Sequence, residues 1–126
     1  MSFDAGEVYR RVTRAFSSGD SSVVADLIAD DVLWHTDDLQ VNVPSVFRGR
    51  DEFFAAASTP NDHISSWEII PHLVLSDGNT AFAHQIDRFK LKDGQELEIH
   101  FLLHITINER GQLQEVWEFG QSALPH

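Results

Sequence analysis

Apolar residues early in the chain recur with helical spacing, and later ones fall in strand-like blocks. Val8, Val12, Ala15 and Phe16 follow the i, i+4, i+7, i+8 spacing of one buried helix face. Gly19 and Asp20 stop that helix and cap a second, short one, with Val24, Leu27 and Ile28 facing inward. A strand-like stretch, Val32 to Thr36, follows Asp30-Asp31. Residues 37–48 read as a polar, irregular segment containing Pro44, either a lid or a long connection. Asp51 starts a third helix with Phe53, Phe54 and Ala57 inward, and Thr59-Pro60-Asn61-Asp62 ends it.

From Ile64 the pattern turns to strands, over 64–75, 80–92, 95–107 and 112–119. Asp77-Gly78-Asn79, Asp93-Gly94 and Asn108-Glu109-Arg110-Gly111 separate them as turns. Helices first and an antiparallel meander second predict an α+β fold. Residues 1–126 fit a single domain, with no internal repeat or linker.

Composition narrows the function. The chain carries 20 Asp and Glu against 9 Lys and Arg, a net charge of −11. Such a surface repels phosphate backbones and anionic headgroups, so no nucleic acid and no membrane partner is expected. There is no cysteine, which removes thiol chemistry and thiolate metal sites. The start, Met1-Ser2-Phe3-Asp4, lacks the regions of a signal peptide, and a cytoplasmic location is the default expectation.

Turn geometry predicts which side chains share a face. If Asp93-Gly94 is a two-residue turn, Lys92 pairs with Gln95, and Arg88 opposes Ile99, Ile86 opposes Phe101 and His84 opposes Leu103. A four-residue loop at 108–111 sets Glu118 beside Phe101 and Val116 beside Leu103. One face then holds Phe82, Ile86, Ile99, Phe101, Leu103, Ile105 and Val116, with His84, Arg88 and Glu118 as its polar members. Trp34 and Thr36 point the same way as Val32. A few polar groups on an apolar wall is the pattern of a small-molecule site. The other face holds Asp87, His100, His104, Glu115 and Trp117, suited to a dimer interface. A one-residue slip would exchange the two sets and bring Asp87 inward.

The order of motifs resembles the fold of nuclear transport factor 2, and within it the SnoaL-like and ketosteroid-isomerase-like families. The residues that carry the likeness are Phe16-Ser17-Ser18-Gly19-Asp20, Leu27-Ile28-Ala29-Asp30-Asp31-Val32, Arg48-Gly49-Arg50-Asp51, Gly111-Gln112-Leu113 and Val116-Trp117-Glu118-Phe119. The resemblance implies a cone of three N-terminal helices on a curved, mainly antiparallel sheet enclosing a pocket. It also implies a homodimer through the outer sheet face. Activity does not follow from this fold, which hosts isomerases, cyclases, epoxide hydrolases, dehydratases and binding modules.

Three chemistries can be compared with the residues. Ketosteroid isomerases use a carboxylate base with a tyrosine and a protonated aspartic acid as donors. Val12, Thr36 and Leu103 stand at the corresponding positions and cannot do this work. Limonene-type epoxide hydrolases carry Arg-x-Asp where this chain has Gln85-Ile86-Asp87, and Asp where it has Glu118. SnoaL-like cyclases use a carboxylic acid or histidine on the sheet, and His84 or Glu118 could serve.

The catalytic candidates are therefore His84, Glu118 and, in the slipped register, Asp87. Trp34, Thr36, Arg88, Phe101, Leu103 and Val116 are the ligand-binding candidates. Each has a plainer reading: His84 as a buried histidine bonded to a carbonyl, Arg88 with Glu118 as an ion pair, Asp87 with His100 as a cross-strand pair. The histidines lack metal-ligand grouping, so neither a metal nor a cofactor is expected. The expected partner is a small, largely apolar molecule; the alternative is a non-catalytic binding or dimerisation module with a self-filled pocket.

Overall fold

The computed structural model describes residues 2–36, 46–57 and 64–123. Helices α1 (Ala5–Ser17) and α2 (Ser21–Asp26) precede strand β1 (Ile28–His35), a short β2 (Val46–Arg48) and helix α3 (Arg50–Ala57). Four long strands follow: β3 (Ile64–Asp77), β4 (Thr80–Leu91), β5 (Glu96–Ile107) and β6 (Leu113–Ala123). They form one curved sheet in the order β2-β1-β6-β5-β4-β3, antiparallel except where β1 runs parallel to β6. The fold is the expected α+β arrangement of helices on such a sheet. Among the described residues no helix is long and apolar enough to cross a membrane.

Local chemistry starts the first two helices. The Asp4 carboxylate accepts from the Glu7 amide at 3.0 Å, and Asp20 does the same for Val23 at 3.3 Å. The buried stripe of α1, Ala5, Val8, Tyr9, Val12 and Ala15, lies on the sheet. Gly6 allows the approach: a Cβ there would come within 2.9 Å of Ser76. Beneath it, Ser76 and Val74 pair with Ala81 and Ala83 of β4. Helix α1 therefore closes one end of the sheet's inner face over small residues. Ile28, Val32, Ile105, Leu113 and Val116 fill the core without measurable exposure or nearly so.

Several boundaries differ from the sequence reading. The second helix ends at Asp26, so Leu27 caps it and Ile28 already pairs with Leu113 of β6. The Leu113 amide donates to the Leu27 carbonyl at 2.8 Å, a long-range bond that local periodicity does not reveal. Residues 46–48, read as irregular, are a strand on β1. The rest of that segment with Pro44, and Thr59-Pro60-Asn61-Asp62, lie outside the described residues.

The β4–β5 turn corrects the register. Lys90 pairs with Glu96, and the Leu91 amide donates to the Gln95 carbonyl at 2.8 Å, leaving a three-residue loop, Lys92-Asp93-Gly94. Gly94 carries left-handed backbone in this loop, at φ +91°. A two-residue type I′ turn would demand it of Asp93 as well. The one-residue difference turns β4 over relative to β5: Ala83 opposes Leu103, Gln85 opposes Phe101 and Asp87 opposes Ile99.

The β5–β6 turn also departs from the expected pairing, without changing the face. An irregularity between Thr106 and Ile107 shifts the ladder, so Glu118 lies beside Leu103 and Val116 beside Ile105. The Asn108 side chain holds this loop by accepting from the Arg110 and Gln112 amides. The net slip from the expected pairing is even, and inward residues stay inward.

Candidate active site

The inner face of β4 reads Ala81, Ala83, Gln85, Asp87, and its last two side chains are polar and buried at 8% and 4% exposure. Tyr9, less than one turn beyond Gly6 on α1, reaches this row. Its hydroxyl donates to Gln85 Oε1 at 2.7 Å, and Gln85 Nε2 donates to Asp87 Oδ1 at 2.7 Å. From the edge strand, Trp67 Nε1 donates to Asp87 Oδ2 at 3.1 Å. Both oxygens of Asp87 thus accept from uncharged N–H groups.

Glu118 enters the same face from β6, and Trp34 on the neighbouring β1 donates its indole N–H to Glu118 Oε1. Trp34 pairs with Val116 across the parallel ladder and stacks on Phe53 of α3 at 4.4 Å. Phe16 meets the rings of both Phe53 and Trp67 at 6.1 Å. Aromatic rings from two helices and two strands therefore surround the two carboxyls.

This environment pushes both acids upward. Burial raises Glu118 to about 7, the Trp34 hydrogen bond opposes that, and the charge of Asp87 adds to it. Burial also raises Asp87, against the hydrogen bonds from Gln85 and Trp67. The Tyr9 hydroxyl rises well above the usual phenol range, first through burial and then through the charges of Asp87 and Glu118. The three groups share one field. Among the described residues no Lys, Arg or His forms a hydrogen bond or ion pair with either carboxyl. The arrangement can move a proton onto or off a bound molecule.

The expected site residues divide between the two faces. Trp34, Phe101, Leu103, Val116 and Glu118 lie on the inner face, and Asp87 joins them. Thr36 follows β1 at the limit of the described segment. His84 and Arg88 stand on the outer face, because the three-residue loop turned β4 over. Arg88 pairs with Glu98 at 3.1 Å and not with Glu118. His84 Nε2 lies 2.8 Å from His100 Nδ1, and His100 Nε2 lies 3.2 Å from Glu98. Asp87 and His100, read as a possible pair, are on opposite faces.

Tyr9, Gln85 and Trp67 were not among the candidates. Tyr9 is the only tyrosine and falls in the stripe Ala5, Val8, Tyr9, Val12; that spacing could have singled it out. Gln85 carried a signal in the Gln-x-Asp pattern of an apolar strand. Trp67 could not be assigned, since only the pairing with Phe89 aims its edge toward Asp87. Among the described residues no group of three or more His, Asp or Glu is arranged to hold a metal ion.

The model of the SnoaL-like domain matches residues 9–116. Among curated proteins no relative matches. Bal32a, from a soil-derived mobile gene cassette, superposes with a TM-score of 0.79 at 19% identity, over 92% of this chain and 88% of that one. An NTF2-like protein of unknown function from Burkholderia pseudomallei gives 0.79 at 18%, over 93% and 90%. An LEH-like epoxide hydrolase of M. tuberculosis gives 0.70 at 13%, over 93% and 82%. At these identities the likeness is one of fold.

Proposed function

The chain belongs to the SnoaL-like family, and we propose that its inner sheet face binds a small, largely apolar molecule and transfers protons on it. Asp87 is the base and Glu118 the acid. The observation that carries this reading is the contrast in their partners. Asp87 accepts N–H donors at both oxygens, the surroundings of an anion. Glu118 accepts at one oxygen, and its pKa of about 7 keeps a proton available near neutral pH.

Opening of an epoxide by water is the form of this chemistry we place first. Gln85, Asp87 and Glu118 occupy the positions at which the chain resembles limonene-type epoxide hydrolases. Asp87 would take a proton from water as the water oxygen bonds to an epoxide carbon. The carbon–oxygen bond breaks, and Glu118 gives its proton to the departing oxygen, leaving a diol. Return of the proton from Asp87 to Glu118, through solvent, resets the pair. Isomerisation or cyclisation next to a carbonyl would use the same two groups.

The test is diol formation from cyclohexene oxide, with Asp87→Asn and Glu118→Gln alongside. Each should lose turnover while still unfolding in one cooperative transition. Turnover unchanged in both variants would sink the assignment.

A second reading, a module whose pocket is filled by its own side chains, draws support from the stacking of Trp34 on Phe53 and their contact with Phe16. Native mass spectrometry before and after mild denaturation separates the two readings, since a released small molecule argues for a ligand site. Both are compatible with a homodimer, for which the exposed Leu73, Leu75, Phe82, Leu102, Trp117 and Phe119 are the support.

A further inference from the structure

Asp87 receives its two N–H donors in different ways. Trp67 Nε1 donates to Oδ2 at 3.1 Å, and an indole has a single N–H and no acceptor to offer in its place. Gln85 Nε2 donates to Oδ1 at 2.7 Å, but an amide has two ends. Turned over about its last bond, it would set a carbonyl oxygen against the carboxylate. The strand itself does not choose between the two orientations, because the oxygen and the NH2 group fill nearly the same space.

Tyr9 makes the choice. Its hydroxyl, carried on α1, donates to Gln85 Oε1 at 2.7 Å, and among the described residues Gln85 is its acceptor. With the amide reversed, the Tyr9 oxygen would accept from Nε2, but its proton would lose that acceptor in a buried position. Oε1 would then face Oδ1 of Asp87, an arrangement that becomes favourable only when Asp87 carries a proton and donates it. Amide orientation and Asp87 ionisation are therefore one equilibrium. Tyr9 biases it from 76 positions before Gln85 in the chain.

We propose that Tyr9 is a positioning residue: by holding the Gln85 N–H toward Asp87, it keeps Asp87 in the ionised form that a base requires. This rests on the reading of Asp87 as the base. Each Asp87 oxygen keeps a second lone pair for the proton of a water, and Tyr9 acts only through the amide. Beside Asp87 on the neighbouring strands stand Ile69 and Ile99, without charge. The charged groups that act on this network are Glu118 on β6 and Arg10 on α1, both retained in the variants below.

The experiment follows the Trp67 indole N–H by NMR as pH is lowered, since that group is bonded to Asp87. The Trp34 indole records Glu118 separately. Tyr9→Phe should raise the Trp67 midpoint by about one pH unit, the order expected when a hydrogen bond to a charged group is weakened. Mere loosening of the site would move the midpoint the other way, because admitted water relieves the burial of the acid. In a Gln85→Met background, Tyr9→Phe should leave the midpoint where Gln85→Met alone sets it.

An unmoved or lowered midpoint in Tyr9→Phe overturns the positioning role. So does a shift of equal size in the Gln85→Met background, since Tyr9 would then act without the amide. The turnover of Asp87→Asn tests the base separately. Full turnover there, with a Trp67 midpoint that still follows Tyr9, removes Asp87 as the base and leaves the link from Tyr9 to Asp87 standing. If Tyr9→Phe does not fold, the Gln85 side-chain N–H signals of the native protein decide: they should titrate with the Trp67 midpoint, and no response there overturns the link.

Discussion

Two glutamates on opposite faces of one sheet answer their surroundings in opposite directions. Glu98, on the outer face, is held below the ordinary carboxylate range, first by Arg88 and then by His100. Glu118, on the inner face, is raised to about 7 by burial, with no cation beside it among the described residues. The outer face joins Arg88, Glu98, His100 and His84 in one line and leaves Phe82, Leu102 and Phe119 exposed beside them. On the inner face acids are met by indole and amide N–H groups. Residue type is the same; solvation and the charge of the neighbour decide what each group can do.

Four measurements test this contrast. The largest effect belongs to the acids. Asp87→Asn or Glu118→Gln should lower kcat/KM by roughly 10³-fold, within the range for loss of a general acid or base. His84→Ala and Arg88→Ala should change it by less than about two-fold, as expected of groups remote from the reacting atoms. Equal losses on both faces would erase the distinction.

Adjacent leucines on β5 come next. Leu103→Ala should cost about 3 kcal/mol of stability in urea denaturation, since it empties a buried site. Leu102→Ala, exposed to 61%, should cost about 0.5 kcal/mol or less. Leu102→Lys should instead lower the mass seen by light scattering if the outer face joins two copies. A drop in stability at Leu102 matching that at Leu103 would mean the faces are assigned wrongly.

The third concerns pH. Glu118 holds its proton more tightly folded than unfolded, from an ordinary 4.5 to about 7. Its contribution is complete below the lower value and is lost as pH rises toward the upper one, and Asp87 acts in the same direction. Glu118→Gln should therefore gain on the native protein by on the order of 2 kcal/mol between pH 5 and pH 8. Parallel stability curves for the two proteins would contradict the raised pKa.

The smallest effect tests the turn that sets the faces. Gly94→Ala forces a Cβ into a left-handed backbone and should cost about 1 kcal/mol. An unchanged urea midpoint would argue against left-handed backbone at Gly94.

Much of the fold was legible in the sequence because the signals for it are local. The stripe Val8, Val12, Ala15 fixes the face of α1, and the alternation after Ile64 marks the strands. Trp34 could be placed inward by its alternation with Val32, and Glu118, Leu103 and Val116 because the slip in the β5–β6 pairing is even. His84 and Asp87 could not. They are three residues apart on one strand, so a one-residue change in one loop exchanges their faces.

The α+β class, the acidic surface and the set of groups able to move a proton are written in the order of residues. Which of those groups meet depends on how the chain folds back on itself. Tyr9 and Gln85 stand 76 positions apart and Trp34 and Glu118 stand 84 apart, so no local pattern records their hydrogen bonds. The physical reason is the period of two along a strand: composition and alternation define two faces, but a single loop conformation chooses which one turns toward the helices.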